Sequence, residues 1–389
     1  MSVPMSGTTR CSLVEVAMLK VFLGFLLTAI DSASRTEITA IAFTADGHIF
    51  AGDKWGDIRR WRLKDAEQTG PTMKANGTIE SAVVSNDGQW LVTGDDGRRG
   101  IVWDARTHEK AQEATEHTHF VYAVDISSDS MRFASGSCDK TTRIFSIATG
   151  VRLIPPIQHA RAVVGLRFSP SGDQLVTATY NECVCIYNSH TGDRLFEVPV
   201  GVMHTPTTPF AWSSDGRELF VVSPGKITRL STSKSSSSEW WIHTNSTRAS
   251  IVADGQFIAC AAGSSVSLWD ATSNEQVGQV VENGPDILCI TLSPHRELLA
   301  CGHGNRISVY RLGKILPDHY VRVHFLMSLC LILNLSFFKY LLVVSSITSS
   351  TSCILPSHLN SGVWYITSST QAKNCRSVAR SHLFRGSAR

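Results

Sequence analysis

Between Thr36 and Tyr320 the chain runs seven times through one unit: an apolar strand, a tight turn, a second strand with small residues, and a third strand ending on a large ring. That ring falls at Trp61, Trp103, Phe145, Tyr187, Leu230 (an aliphatic stand-in), Trp269 and Tyr310, in steps of 42, 42, 42, 43, 39 and 41 residues. A period of roughly 40 residues means one supersecondary unit copied in series. Length alone would suggest two or three domains, but a closed array of such units is a single large one.

The units are strands. Ile38, Ile41 and Phe43 open the first, Val121, Val124 and Ile126 the third. Asp46-Gly47, Asp87-Gly88, Asp215-Gly216 and Asp254-Gly255 supply the residues that a tight hairpin needs at positive φ. Each repeat is therefore a small antiparallel sheet with two apolar faces. It cannot bury both alone, and radial packing of copies around an axis buries them while protecting the edges.

Ile101-Val102-Trp103-Asp104 and Ser267-Leu268-Trp269-Asp270 each carry a Trp-Asp pair, and the third repeat runs from His117 through Phe133-Ala134-Ser135-Gly136-Ser137-Cys138-Asp139-Lys140 to Phe145. In these residues the chain resembles the WD40 repeat family. The resemblance implies an all-β, seven-bladed β-propeller of four-stranded blades over 36–320, with repeats near 38–70, 79–117, 121–159, 163–201, 207–244, 248–283 and 287–320. It also implies a buried hydrogen-bonded set in each blade: a His before the first strand, a Ser or Thr in the second, an Asp in the turn before the third, and the closing Trp. The third repeat offers His117, Ser135 and Asp139; the fourth offers His159, Thr177 and Asn181. Gly97, Gly263 and Gly304 stand where the Asp would be, so most blades rely on apolar packing. These polar residues read as a satisfied blade interior rather than a functional site.

Charge is unevenly placed. From His319 onward there is no acid and there are seven Lys or Arg, so residues 1–318 hold 29 basic against 33 acidic side chains, a balance of −4. A mildly acidic propeller argues against a face built to neutralise phosphates, so nucleic acid is an unexpected partner. The ten Cys show no framework spacing, which fits a reducing, cytoplasmic or nuclear compartment. Segment 1–35 contains a ten-residue apolar run, Val21 to Ile30. The run reads either as a secretory signal or as the outer strand of the last blade, and the repeat offset, which puts such a strand at Leu27 to Ser32, favours the strand. The tail 321–389 carries an apolar segment, 325–347, long enough to span a bilayer but broken by Lys339. Either a membrane anchor or sequence foreign to the natural product would account for it.

The usual catalytic signatures are missing: no His-Glu-x-x-His, no Gly-x-Ser-x-Gly and no phosphate-cradling loop. His117-Thr118-His119 lacks a third ligand, and Cys183 and Cys185, on one side of a strand with Tyr187, read as packing rather than as a zinc site. No cofactor and no metal are expected. What remains is surface. On the register of the repeats, Trp55, His119, Phe120, Lys140, Arg161 and Tyr180 fall on the entry loops and pre-third-strand turns that gather on one rim, and aromatics and Arg are the types that anchor protein interfaces. The expected function is a non-enzymatic scaffold that holds protein or peptide partners on that rim. The alternatives are a membrane-anchored propeller in the secretory pathway and an enzyme with a site in the central channel.

Overall fold

The computed structural model describes residues 26–32, 36–199, 209–232, 237–242, 249–277, 281–282, 285–317 and 320. The apolar segment 325–347, the basic end of the tail and residues 1–25 lie outside the described residues. Among the described residues no helix is long and apolar enough to cross a membrane.

Seven antiparallel sheets form, six of four strands and one of five. The fifth strand in the first blade arises because its outer strand comes in two pieces, Glu67–Gln68 and Met73–Lys74, both paired with Asp57–Arg62. Blade three shows the common pattern: inner strand Val121–Ile126, second strand Arg132–Ser137, third strand Thr141–Ser146 and outer strand Ile157–Gln158. The seventh blade is assembled from distant parts of the chain. Its outer strand is Leu26–Asp31, which pairs antiparallel with Arg306–Arg311.

The spacing of three and then two at the start of the repeats has a cause in the backbone. The register of the inner strands slips between Ile38 and Ala40, Ile79 and Ser81, Val121 and Ala123, Val163 and Gly165, and Ile287 and Cys289. A bulge there adds one residue, so Val163, Leu166 and Phe168 share a face that a regular strand would split. That face packs on the preceding blade. A Cβ on Gly136 would lie 2.6 Å from Val163 Cγ1 and 2.9 Å from Leu166 Cδ2, and one on Gly52 or Gly94 would meet Ile79 at 2.5 Å or Val121 at 2.8 Å. Glycine in the second strand thus seats the β-branched residue that opens the next blade. The core accordingly consists of clusters between blades, such as Val92, Val102, Val121, Val124, Phe133 and Phe145.

The turn between second and third strands divides the ring. Blades one to four close with five unpaired residues, as between Gly136 and Thr142. Blades five, six and seven close with two: Pro224-Gly225, Gly263-Ser264 and Gly304-Asn305. Phe133 pairs with Phe145, 12 positions on, but Ile258 pairs with Trp269, 11 positions on. The expectation that Gly263 and Gly304 replace an acid is therefore corrected: from ring to its partner these hairpins are one residue shorter, their turns leave two residues unpaired instead of five, and they contain no equivalent position. In every blade from one to four the backbone of this turn donates to the blade's own entry loop, for example Cys138 N to Phe120 O at 2.9 Å and Tyr180 N to Ala162 O at 2.9 Å. Entry loops and these turns therefore lie side by side on one face.

Candidate functional site

The polar residues of blade three meet in its interior. His117 Nδ1 lies 2.8 Å from Asp139 Oδ2, and its Nε2 lies 2.7 Å from Ser135 Oγ. Asp139 also accepts from Thr118 N at 3.0 Å, Thr141 N at 2.9 Å and Thr141 Oγ1 at 2.6 Å. Burial works to raise its pKa, but the hydrogen bonds from His117 and Thr141, together with the charge of His117, outweigh it and hold the carboxyl well below the usual range. Phe145 has no N–H to extend the set. In blade two Trp103 Nε1 does reach Thr93 Oγ1, at 2.9 Å. All these donors and acceptors are spent on one another, so the cluster holds the fold and offers nothing to a ligand.

Blade four departs from the expectation that His159, Thr177 and Asn181 form the same set. His159 Nε2 lies 3.0 Å from Thr142 Oγ1 of blade three, and its Nδ1 lies 3.4 Å from the Tyr187 hydroxyl. Thr177 Oγ1 is buried with no hydrogen-bond partner. The reason is local. Asn181 brings no carboxylate to fix the imidazole over the second strand, and Tyr187, where blade three has Phe145, supplies a hydroxyl that takes Nδ1. Burial pulls the pKa of His159 down to about 4, so the ring is neutral at pH 7.

On the face of entry loops and turns, Trp55 tips the turn of blade one, 71% exposed, its N–H fixed to Asp53 Oδ1 at 2.9 Å. Phe120 and Tyr180 are 37% and 39% exposed. His119, Lys140 and Arg161 are exposed, and Lys140 takes a positive φ of 67° in its turn. The rings of His119 and Phe120 meet edge to face at 4.5 Å, and Phe120 meets Tyr122 at 6.2 Å. This row leads from the rim inward to the first turns of the inner strands. Trp241, at the end of the outer strand of blade five and paired with Lys226 beside the Pro224-Gly225 turn, is 77% exposed on the same face. Sequence reasoning missed it. The signal was the Trp240-Trp241 pair: alternation along a strand sends one ring in, against Trp269 and Phe220, and the other out.

Among the exposed large hydrophobic side chains of the described residues, every aromatic one, Trp55, Phe120, Tyr180 and Trp241, lies on this face. Met131, Val151, Leu153 and Leu195, by strand direction, lie on the opposite face or the outer edge.

Glu80, on the inner strand of blade two, completes the inner end of the site. Burial first, and then the charge of Asp96, push its carboxyl up to about 7, with Lys54 acting in the other direction. Lys54 is itself paired with Glu37 at 2.5 Å. A folded-state value above the ordinary 4.5 means that the contribution of Glu80 to stability is intact below about 4.5 and is lost as the pH rises through 7. Glu80→Gln should therefore raise stability at pH 8 by about 1 to 2 kcal/mol, after allowance for partial solvation, and leave it unchanged at pH 4. Chemical melts at the two pH values test this; equal gains at both would refute it.

Toward the other mouth of the channel the inner strands carry Asp125 and Arg167. Asp125 accepts from Phe168 N at 2.7 Å, and burial pushes its pKa up to about 6 against the pull of Arg167. The neighbouring inner-strand positions are mainly small or apolar, among them Ala42, Val83, Ala211 and Val252.

Comparison with known proteins gives a consistent picture. The family model described as WD domain, G-beta repeat matches residues 69–104, 110–146 and 154–188. WD repeat-containing protein 1 of Gallus gallus is 26% identical over 194 residues, covering 47% of this chain and 31% of that protein. Actin-interacting protein 1 of Drosophila melanogaster is 25% identical over 193 residues, 48% of this chain and 32% of that protein. The guanine nucleotide-binding protein subunit beta of Arabidopsis thaliana is 29% identical over 146 residues, 35% and 39% of the respective chains. The matched stretch thus spans about a third of the relatives' own length.

Proposed function

Since the chain is a WD40-repeat protein folded as a seven-bladed β-propeller, we propose that it is a non-catalytic scaffold whose entry-loop face holds a protein or peptide partner. The observation that carries this reading is the segregation of exposed aromatics. Trp55, Phe120, Tyr180 and Trp241 share one face with the exposed His119, Lys140 and Arg161, while the exposed aliphatics lie elsewhere. Exposed aromatic and Arg side chains on rigid turns are the groups from which interface anchors are drawn, because they bury much area at small entropic cost. The backbone bonds between turns and entry loops keep that face rigid before any partner arrives. Actin-interacting protein 1 and a G-protein β subunit, both named for their associations, are similar to this chain in sequence. The free Cys among the described residues suit a reducing compartment.

The test compares partners recovered by the intact chain with those recovered by variants of unchanged melting midpoint. Trp55→Ala or Arg161→Ala should weaken binding by about 1 to 2 kcal/mol or more. Met131→Ala and Leu195→Ala, equally exposed but off the face, should be near neutral. Recovery of every partner by a folded chain with Trp55, Phe120, Arg161 and Tyr180 all replaced would defeat the proposal and point to the blade edges.

A further inference from the structure

Toward the outer side of blade four, Cys185 lies on the third strand, Val184–Asn188, Cys183 immediately precedes that strand, and Glu197 faces Cys185 across the ladder from the outer strand. Among the described residues this is the one place where three donors of the His, Cys, Asp and Glu class come within 4.8 Å of one another. Along the chain the two cysteines lack a second pair, which is the ground for reading them as packing. The ladder supplies the missing donor as a carboxylate, which spacing along the chain could not reveal.

We propose that Cys183 Sγ, Cys185 Sγ and the Glu197 carboxylate form a site for a thiophilic divalent ion of the zinc class, with water as the fourth ligand. The two sulfurs are 3.5 Å apart. In a tetrahedral site with Zn–S bonds of about 2.3 Å, two sulfurs stand about 3.8 Å apart, so the pair already has nearly the separation of a tetrahedron's edge. The surroundings resemble those of an outer shell that orients ligands. Thr179 Oγ1 lies 3.4 Å from Cys183 Sγ, the Tyr187 hydroxyl bonds to Cys185, and Arg194 Nη1 donates to Glu197 Oε2 at 2.5 Å, leaving Oε1 for the ion. Ile154 and Ile157 close the buried side, while the Glu197 side chain, 45% exposed, leaves a way in from solvent.

A disulfide is the competing fate of two adjacent thiols, and the strand opposes it. Residues two apart in extended chain have Cα atoms about 6.6 Å apart, at the upper limit of what a disulfide spans, so closing one would pull on Cys185 within the paired strand Val184–Asn188. An ion asks only for small side-chain rotations.

The experiment uses the full chain, reduced and freed of metal, titrated with Co²⁺ and then challenged with Zn²⁺. A thiolate-to-cobalt charge-transfer band saturating at one equivalent, and displaced by Zn²⁺, is the expected result. The band should disappear in Cys183→Ser and Cys185→Ser, persist in Cys138→Ser, and in Glu197→Gln require at least about ten-fold more cobalt for half-saturation. Cys183 is half-buried and Glu197 exposed, so those two variants carry the test should Cys185→Ser fail to fold. No thiolate band in the folded wild type, or a band that survives both serine changes, would overturn the assignment. So would a Cys183–Cys185 disulfide that forms as fast in the presence of zinc as without it.

Discussion

Asp139→Ala should cost about 3 kcal/mol of folding stability at pH 7, the largest loss expected from any single polar residue of the blade interiors. The carboxylate accepts from four donors: His117 Nδ1, Thr118 N, Thr141 N and Thr141 Oγ1. Hydrogen bonds to a charged group are worth about 1.5 to 3 kcal/mol each, and alanine leaves the buried imidazole N–H only the longer contact to Thr141 Oγ1, at 3.3 Å. Losses of this kind are not additive, hence a figure below the sum. The pH dependence follows from the depressed pKa. The contribution of Asp139 is present above its ordinary value of 3.8 and is lost as the pH falls toward the folded value, so the gap between wild type and variant should be constant from pH 5 to 8 and narrow only in acid. Coincident urea midpoints for the two proteins at pH 7 would show that the set is not holding the blade.

Gly136→Val is expected to cost a comparable amount, about 3 kcal/mol, through repulsion rather than lost bonding. The first carbon of the new side chain would meet Val163 Cγ1 at 2.6 Å, and valine adds two methyl groups beyond it. Neither side can yield easily, because the strand of Gly136 is paired on both edges and that of Val163, though an inner edge strand, is held by its ladder to Gln174–Thr179. Overpacking of this sort ordinarily costs about 1 to 3 kcal/mol, and a two-sided clash belongs at the top of that range. The clash has a specific partner, so Val163→Ala in the same chain should recover at least about 1 kcal/mol relative to the sum of the single changes. Strict additivity in the double-mutant cycle would mean that blade three and blade four do not meet as described.

The blade count was legible because it rests on a period, and a period survives substitution at any one position. Turn length was not. The step from Tyr187 to Leu230 is 43 residues although the turn inside that repeat is one residue shorter, since chain added between blades masks what is removed within one. The family model, too, matches 69–104, 110–146 and 154–188, each of which contains a five-residue turn. The cluster around His117 could be placed by alignment, because its partners lie in its own repeat. The partners of His159 could not, because Thr142 belongs to the preceding blade and the competing hydroxyl of Tyr187 becomes a rival only once the strands are paired. The rim residues followed from register, whereas Trp241 required knowing where an outer strand ends.

The strand Leu26–Asp31 joins its partner Arg306–Arg311 across some 275 residues. During synthesis it leaves the ribosome before the rest of the ring and must wait for nearly all of it to follow, at about 5 to 20 residues per second, before it can pair. For that interval, some tens of seconds at the slower rate, the nascent chain carries an unpaired apolar strand ahead of the ring and a growing stack whose last edge is always open. The final pairing is therefore a timed event. Anything that delays it, from a slow codon run to a captured N-terminal strand, prolongs the period in which an open ring is exposed to chaperones and to other copies of itself.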